Sequence, residues 1–178
     1  MTRVIAGERK GQKLQAPPGK TIRPSTDRNK EWIFSVLYDV RNLNVLDIFC
    51  GAGNLGIESL SRGAAHCTFV DAYDRALQLT RQNIQITEYE EKSHVIKSDG
   101  LRFLNETNTA YDLILSDPPY QYPHISELIE LAVNALTEPG RFFLETGEPY
   151  MGPLSDHITE IRRESMGKTT ITIYGARV

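Results

Sequence analysis

Cysteine is scarce in this chain: two thiols, Cys50 and Cys67, among 178 residues. Two cannot build a disulfide framework or a zinc site, so both read as reduced thiols of a cytoplasmic protein. The four histidines (His66, His94, His124 and His157) show no metal-ligand spacing, and no metal is expected. Long apolar runs are missing as well. No stretch approaches the roughly 18 consecutive apolar residues of a membrane span. Met1 to Lys10 has basic residues without the apolar segment of a secretory signal. What remains is ordinary globular composition, 40% hydrophobic and 24% charged, which excludes a disordered chain. The length suits one α/β domain with little left over.

Charge is unevenly spread. The net charge is −3, yet residues 1–30 hold Arg3, Arg9, Lys10, Lys13, Lys20, Arg23, Arg28 and Lys30 against only Glu8 and Asp27. A basic start on an acidic body suits an arm that docks on a polyanion, although a solvated charged tail has the same composition. Residues 3–15 read as a hairpin, Arg3 to Ala6 and Gln12 to Gln15, turned around Gly7 to Gly11. Ala16-Pro-Pro-Gly19 is a turn cluster. Ser25 or Thr26 can cap a helix from Asp27 to about Tyr38, with Trp32, Ile33, Val36 and Leu37 facing the core.

From Asn44 strands and helices alternate. Strands are expected at 45–49, 66–70, 94–97, 111–116 and 141–145. Helices are expected at 54–62, 74–86, 100–105 and 125–136. Such alternation demands a parallel sheet with right-handed crossovers. Residues 158–164 and 169–174 read instead as a closing hairpin around Met166-Gly167, which would add an antiparallel edge.

The first of these strands runs into Gly51-Ala-Gly53-Asn-Leu-Gly56, a complete G-x-G-x-x-G between strand and helix. Its glycines let backbone approach a ligand and let the helix pack on the strand. Asp71, ending the second strand, can accept from both hydroxyls of an adenosine ribose, unless it is a plain surface acid. The loop suits either a dinucleotide or S-adenosylmethionine. Asp47, inside the preceding strand, favours the second: a carboxylate attracts an ammonium and a sulfonium but repels a pyrophosphate. The short chain also leaves no room for a dehydrogenase's substrate domain. Asp99 can receive an adenine amino group with Gly100 giving room, or can cap the following helix.

Asp117-Pro118-Pro119-Tyr120 ends the fourth strand of the alternation, where open parallel sheets bind ligands. This tetrapeptide resembles the [DNS]-P-P-[YFW] motif of amino-methyltransferases that act on adenine N6, cytosine N4 or guanine N2. The resemblance narrows over nearly the whole chain to the bacterial RsmD-like family, which methylates guanine N2 in small-subunit (16S) ribosomal RNA. It is carried by Arg3-Val-Ile-Ala-Gly7, Arg9-Lys-Gly-Gln-Lys-Leu14, Arg23-Pro-Ser-Thr-Asp-Arg28, Leu46-Asp-Ile-Phe-Cys-Gly-Ala-Gly53, Leu60-Ser-Arg-Gly-Ala64 and the tetrapeptide. Ser25 stands where the family commonly has Thr, and Tyr120 where it usually has Phe.

The resemblance implies a Rossmann-like class I fold: a mostly parallel seven-stranded sheet, an antiparallel C-terminal hairpin strand and an N-terminal β-hairpin extension. It divides the chain into an RNA-docking segment, 1–22, and an S-adenosylmethionine-dependent catalytic domain, 23–178, acting as a monomer on ribosomal RNA. Asp117, Pro118, Pro119 and Tyr120 would be catalytic. Asp47, Phe49, Gly51, Gly53, Gly56, Asp71, Asp99, Gly100 and Asp117 would hold the cofactor. Arg3, Arg9, Lys10 and Lys13 would meet phosphates, with Arg23, Thr26 and Arg28 at the mouth of the site. The competing readings are an adenine-N6 or other nucleic-acid amino-methyltransferase, an NAD-dependent oxidoreductase, and a non-catalytic RNA-binding assembly protein.

Overall fold

The computed structural model describes residues 2–17 and 27–177. The expected cap at Ser25 or Thr26, the Arg23 and Thr26 contacts and the 22/23 boundary lie outside those residues. The chain opens with a small antiparallel pair, β1 (Thr2–Arg3) and β2 (Lys13–Leu14), then α1 (Asp27–Leu37). The alternating body follows: β3 (Asn44–Ile48), α2 (Asn54–Ser61), β4 (His66–Asp71), α3 (Asp74–Thr87), β5 (Ser93–Lys97), α4 (Gly100–Glu106), β6 (Tyr111–Ser116) and α5 (Ile125–Asn134). Three long strands close it: β7 (Leu136–Thr146), β8 (Ile158–Met166) and β9 (Thr169–Ala176).

Seven strands form one sheet in the order β5-β4-β3-β6-β7-β9-β8. The first five run parallel, and β9 inserts antiparallel between β7 and β8. This is the expected mostly parallel sheet with its antiparallel C-terminal hairpin. β3 reads as a nearly continuous apolar run because helices cover both of its faces. Val45 packs in a core with α1, α2, α3 and the N-terminal pair, while Leu46 and Ile48 pack in a second core with α4 and α5. Strand order reverses at β3, whose neighbours are β4 and β6, so a crevice opens at its carboxyl end.

Most element ends fall within one or two residues of the sequence reading, and the differences with a physical reason are these. The first helix stops at Leu37 because Tyr38 takes a left-handed backbone, φ 62°. The last helix stops at Asn134, and the following strand begins at Leu136 instead of 141. There Tyr111 N–H donates to the Ala135 carbonyl and Leu136 enters register with Tyr111, so pairing to β6 overrides helical periodicity. The N-terminal ladder is also shorter than expected, because the N–H groups of Ile5 and Ala6 turn to the Glu58 carboxylate on α2 (2.8 and 3.0 Å).

That contact belongs to a wider junction. Ser61 Oγ donates to the Ala6 carbonyl and accepts from Arg9 N–H, and Asn83 on α3 exchanges hydrogen bonds with the backbone of Gln15. At Gly7, φ 83°, an added Cβ would lie 1.8 Å from the Ser61 carbonyl oxygen. Only glycine permits that approach. Val4 and Leu14 are buried in the core beneath. The hairpin is therefore bolted to the outside of α2 and α3.

Candidate active site

The glycine loop is the floor of the crevice. β3 ends, Phe49, Gly51 and Gly53 take positive φ, and α2 starts with Gly53 as its N-cap. No side chain at that cap satisfies the helix's first N–H groups. Asp47 does so from the strand instead, its Oδ2 accepting from Gly56 N–H at 2.9 Å. Burial pushes the Asp47 carboxyl up to about 8, with the Gly56 bond opposing and the nearby Asp71 charge adding. At Gly56 a Cβ would lie 2.3 Å from the Phe69 ring, so glycine is what seats α2 on β4.

Asp71, ending β4, fastens the other side. Its Oδ2 accepts from Gly51 N–H and its Oδ1 from Tyr73 N–H, each at 3.0 Å. Every carboxylate oxygen has two lone-pair directions, so the group keeps capacity for ligand hydroxyls. Two α3 residues that the sequence reading missed complete the support. Thr80 donates to the Gly51 carbonyl (2.8 Å) and Asn83 to that of Ala52 (2.9 Å). Both are fully buried, and their signal was polar residues at helical spacing beside Leu77 and Ile84. Cys50 packs against Thr80, its thiol pushed up by burial, which suits a core residue and not a nucleophile.

Asp99 caps α4, its carboxylate accepting from Arg102 N–H at 3.1 Å, and stays exposed at the crevice rim. Gly100 beside it is buried under Phe49; a Cβ there would meet that ring at 2.7 Å. Phe49 in turn stands edge-on to Tyr122, ring centroids 5.2 Å apart. The loop after β3 thus touches the loop after β6.

The second loop carries the tetrapeptide. Asp117 is half-buried, Pro118 buried, and Pro119 and Tyr120 exposed. A turn closed by Tyr122 N–H on the Pro119 carbonyl (3.0 Å), with Gln121 at φ 62°, sends Tyr120 and Tyr122 to different neighbours. Tyr122 meets Phe49, while the Tyr120 ring lies against Gly147, where a Cβ would come within 2.1 Å. Between this loop and residues 146–151 lies a cleft of about 300 Å³, lined among others by Tyr120, Tyr122, Glu148, Tyr150 and Met151. That volume is at the lower end of small-ligand sites. Nothing in the sequence marked residues 146–151 as part of the site.

These residues fit S-adenosylmethionine. Gly51 is open: a Cβ there meets nothing within 4 Å, leaving the cradle accessible to a ligand. Asp71 beside the loop is the hydrogen-bond acceptor that a ribose requires, and Asp47, buried behind the loop, fixes its shape through Gly56 N–H. Among the described residues no group of His, Cys, Asp and Glu is placed to hold a metal ion. No helix among them is long and apolar enough to cross a membrane.

The basic residues expected on RNA divide into two kinds. Arg3 pairs with Asp27 at 3.4 Å, and Arg9 pairs with Glu88 beside the Tyr89 ring. Lys10, Lys13 and Arg28 are exposed. Arg23 lies outside the described residues.

Comparison with known proteins agrees with this geometry. Residues 2–175 match the family model described as Conserved hypothetical protein 95. YlbH of Bacillus subtilis is 35% identical over 184 residues, covering 98% of this chain and 99% of that one. The Ribosomal RNA small subunit methyltransferase D of Escherichia coli is 35% identical over 130 residues, 72% of this chain and 65% of that one. The solved structure of yhhF from Escherichia coli superposes with a TM-score of 0.85 at 28% identity, covering 99% of this chain and 97% of that chain. The chain belongs to the Conserved hypothetical protein 95 family, the RsmD-like class I methyltransferases that use S-adenosylmethionine.

Proposed function

We propose that this chain transfers a methyl group from S-adenosylmethionine to the exocyclic N2 amino group of a guanine in 16S ribosomal RNA of the small subunit. The observation that carries the reading is the Asp117-Pro-Pro-Tyr120 loop at the end of β6, set against the glycine loop through Tyr122 and Phe49 and bordering an open cleft. The relative named Ribosomal RNA small subunit methyltransferase D supports RNA of that subunit as substrate.

Bound between the glycine loop and Asp71, S-adenosylmethionine supplies an electrophilic methyl on a sulfonium. Asp47 keeps α2 and the loop in place through its bond to Gly56 N–H. Gly51 admits close approach of a ligand while Gly53 and Gly56 let α2 sit against Thr80 and Phe69, Asp71 takes the ribose hydroxyls, and Asp99 with Gly100 and Phe49 borders the adenine. An aromatic amine is a poor nucleophile because its lone pair is delocalised into the ring. The Asp117 carboxylate and the Pro118 carbonyl accept its N–H bonds, turning the lone pair outward. Pro118 and Pro119 stiffen the loop so that these acceptors need not reorganise. Tyr120 stacks on the base, worth roughly 1–3 kcal/mol, and the base is flipped out where it starts in a helix.

Residues 1–22 act as the docking segment and 23–178 as the catalytic domain, monomeric and cytoplasmic. Lys10, Lys13, Arg23 and Arg28 meet phosphates, joined by Arg3 and Arg9 once Asp27 and Glu88 yield. These contacts position the protein and leave base choice to the cleft. The test uses methyl-labelled S-adenosylmethionine and small subunits lacking the modification, followed by digestion of the RNA. Label in N2-methylguanosine, lost in Asp117→Ala, is expected. Label in N6-methyladenosine would keep the chemistry and overturn the guanine assignment; no cofactor binding would overturn the whole reading.

A further inference from the structure

The cleft beside the tetrapeptide has two different walls. One is aromatic, formed by Tyr120 and Tyr122; the other comes from residues 146–151 and brings Glu148, an exposed carboxylate. This second wall is braced from behind. Arg163 on β8 donates to the Tyr150 carbonyl and to Met151 Sδ, each at 3.0 Å, and also pairs with Glu160. Tyr150 OH donates to the Pro153 carbonyl at 3.2 Å. On the inner side Gly147 lies flat against the Tyr120 ring, which ties Glu148 to the tetrapeptide one residue away from that contact. A carboxylate held in an aromatic cleft is a hydrogen-bond acceptor without a donor to offer.

Base edges respond to such a group in opposite ways. Next to the N2 amine, guanine presents N1–H, a donor; next to the N6 amine, adenine presents N1 as a lone pair. We infer that Glu148 is a specificity-determining residue that accepts the N1–H of the target base and so makes this cleft select guanine over adenine. The inference rests on the guanine reading above and adds to it the residue that enforces the choice. Asp117 takes the amine and Glu148 the neighbouring ring N–H, so one base engages two acceptors along one edge. An adenine placed with its amine at Asp117 would set its N1 lone pair against a carboxylate, a repulsive contact in place of a charge-assisted hydrogen bond.

The discriminating probe is 2,6-diaminopurine, which keeps the amine at C2 but has no hydrogen on N1. Single-turnover methyl transfer is measured on reconstituted small subunits carrying guanine or 2,6-diaminopurine at the labelled position, with wild-type protein, Glu148→Ala and Glu148→Gln. Wild type should prefer guanine at least tenfold in kcat/KM. Glu148→Ala should lose at least tenfold on guanine and bring the ratio of the two substrates near one, while its cofactor affinity and thermal midpoint match wild type. Glu148→Gln, retaining a carbonyl acceptor, should recover part of the guanine rate. An unchanged ratio in Glu148→Ala, or a loss shared equally by both substrates, overturns the role of Glu148 and leaves guanine methylation standing. Wild-type label appearing in N6-methyladenosine instead overturns the guanine reading itself.

Discussion

The carboxylate of Glu58 is wholly buried on α2 and holds four donors: the N–H groups of Ile5 and Ala6, Arg62 Nε at 2.8 Å and, further off, the Lys30 ammonium at 3.8 Å. Lys30 is equally buried and also donates to the Arg3 carbonyl at 2.5 Å. Glu58→Ala strands that cation and two backbone donors together. Breaking a buried pair by deleting one partner costs about 3–5 kcal/mol. Two effects limit the loss. Burial already pulls the Lys30 ammonium below its ordinary value, so the amine can shed its proton. The hairpin can also swing out to solvate Ile5 and Ala6, giving up the burial of Val4 and Leu14 at roughly 1.5–3 kcal/mol each. The two routes cost similar amounts, so about 3–5 kcal/mol is expected, seen as a fall of about 6–20 °C in Tm for a domain of this size. Urea unfolding supplies the free energy, and amide exchange at Ile5 and Ala6 reports whether the hairpin has detached. Lys30→Met is the control: it removes the charge instead of isolating it, Glu58 keeps Arg62 and both N–H groups, and the cost should be at most half as large. A loss under about 1 kcal/mol in Glu58→Ala with exchange protection intact, or an equal loss in Lys30→Met, would show that Glu58 does not anchor the hairpin and neutralise Lys30.

Gly56→Ala forces a Cβ to within 2.3 Å of the Phe69 ring and 2.6 Å of Cys67 Sγ. It should cost roughly 1–3 kcal/mol of stability and, by pushing α2 off β4, weaken S-adenosylmethionine binding in calorimetry. Asp47 has its carboxyl raised from 3.8 to about 8, so between those values the native state holds a proton that the unfolded chain has released. Stability of the cofactor-free protein should therefore be highest below about pH 4 as regards this group, and decline as pH rises towards 8. Asp47→Asn should flatten that part of the urea-midpoint profile, and an unchanged slope would count against it. Lys10→Ala and Lys13→Ala should each lower the salt slope of RNA binding by roughly 0.7–0.9. Arg3→Ala and Arg9→Ala should lower it less, since Asp27 and Glu88 already neutralise those side chains; equal slopes in filter binding would contradict the distinction.

Most of what the chain encodes locally could be read in one dimension. The alternation from Asn44, the glycine loop opening α2, the acid ending β4 and the Asp-Pro-Pro-Tyr loop after β6 all stand where periodicity and punctuation put them. Strand and helix periods, positive-φ glycines and proline-stiffened loops are properties of a few neighbouring residues, so the body of the fold and the two loops that meet at its crevice are written in local sequence. Asp99 illustrates the limit: its position was evident, but capping α4 was only one of two readings until Arg102 N–H was seen to donate to it.

Whatever depends on partners distant in sequence emerges only when the chain is folded. Glu58 looks like an exposed helix acid and is a buried anchor, because the hairpin from 52 and 53 residues earlier brings Ile5 and Ala6 to it. Asn83 looks like a weak point in α3 and holds both the hairpin and the glycine loop. The strand beginning at Leu136 overrides a helical pattern because β6 offers its edge there, and β9 takes the place beside β7 that chain order would assign to β8. The cleft wall at 146–151 exists only because Tyr120 packs on Gly147 and Arg163 braces Tyr150. A polar side chain's burial, and hence its charge and its chemistry, is set by what arrives from elsewhere in the chain, and that arrival leaves no local pattern to read.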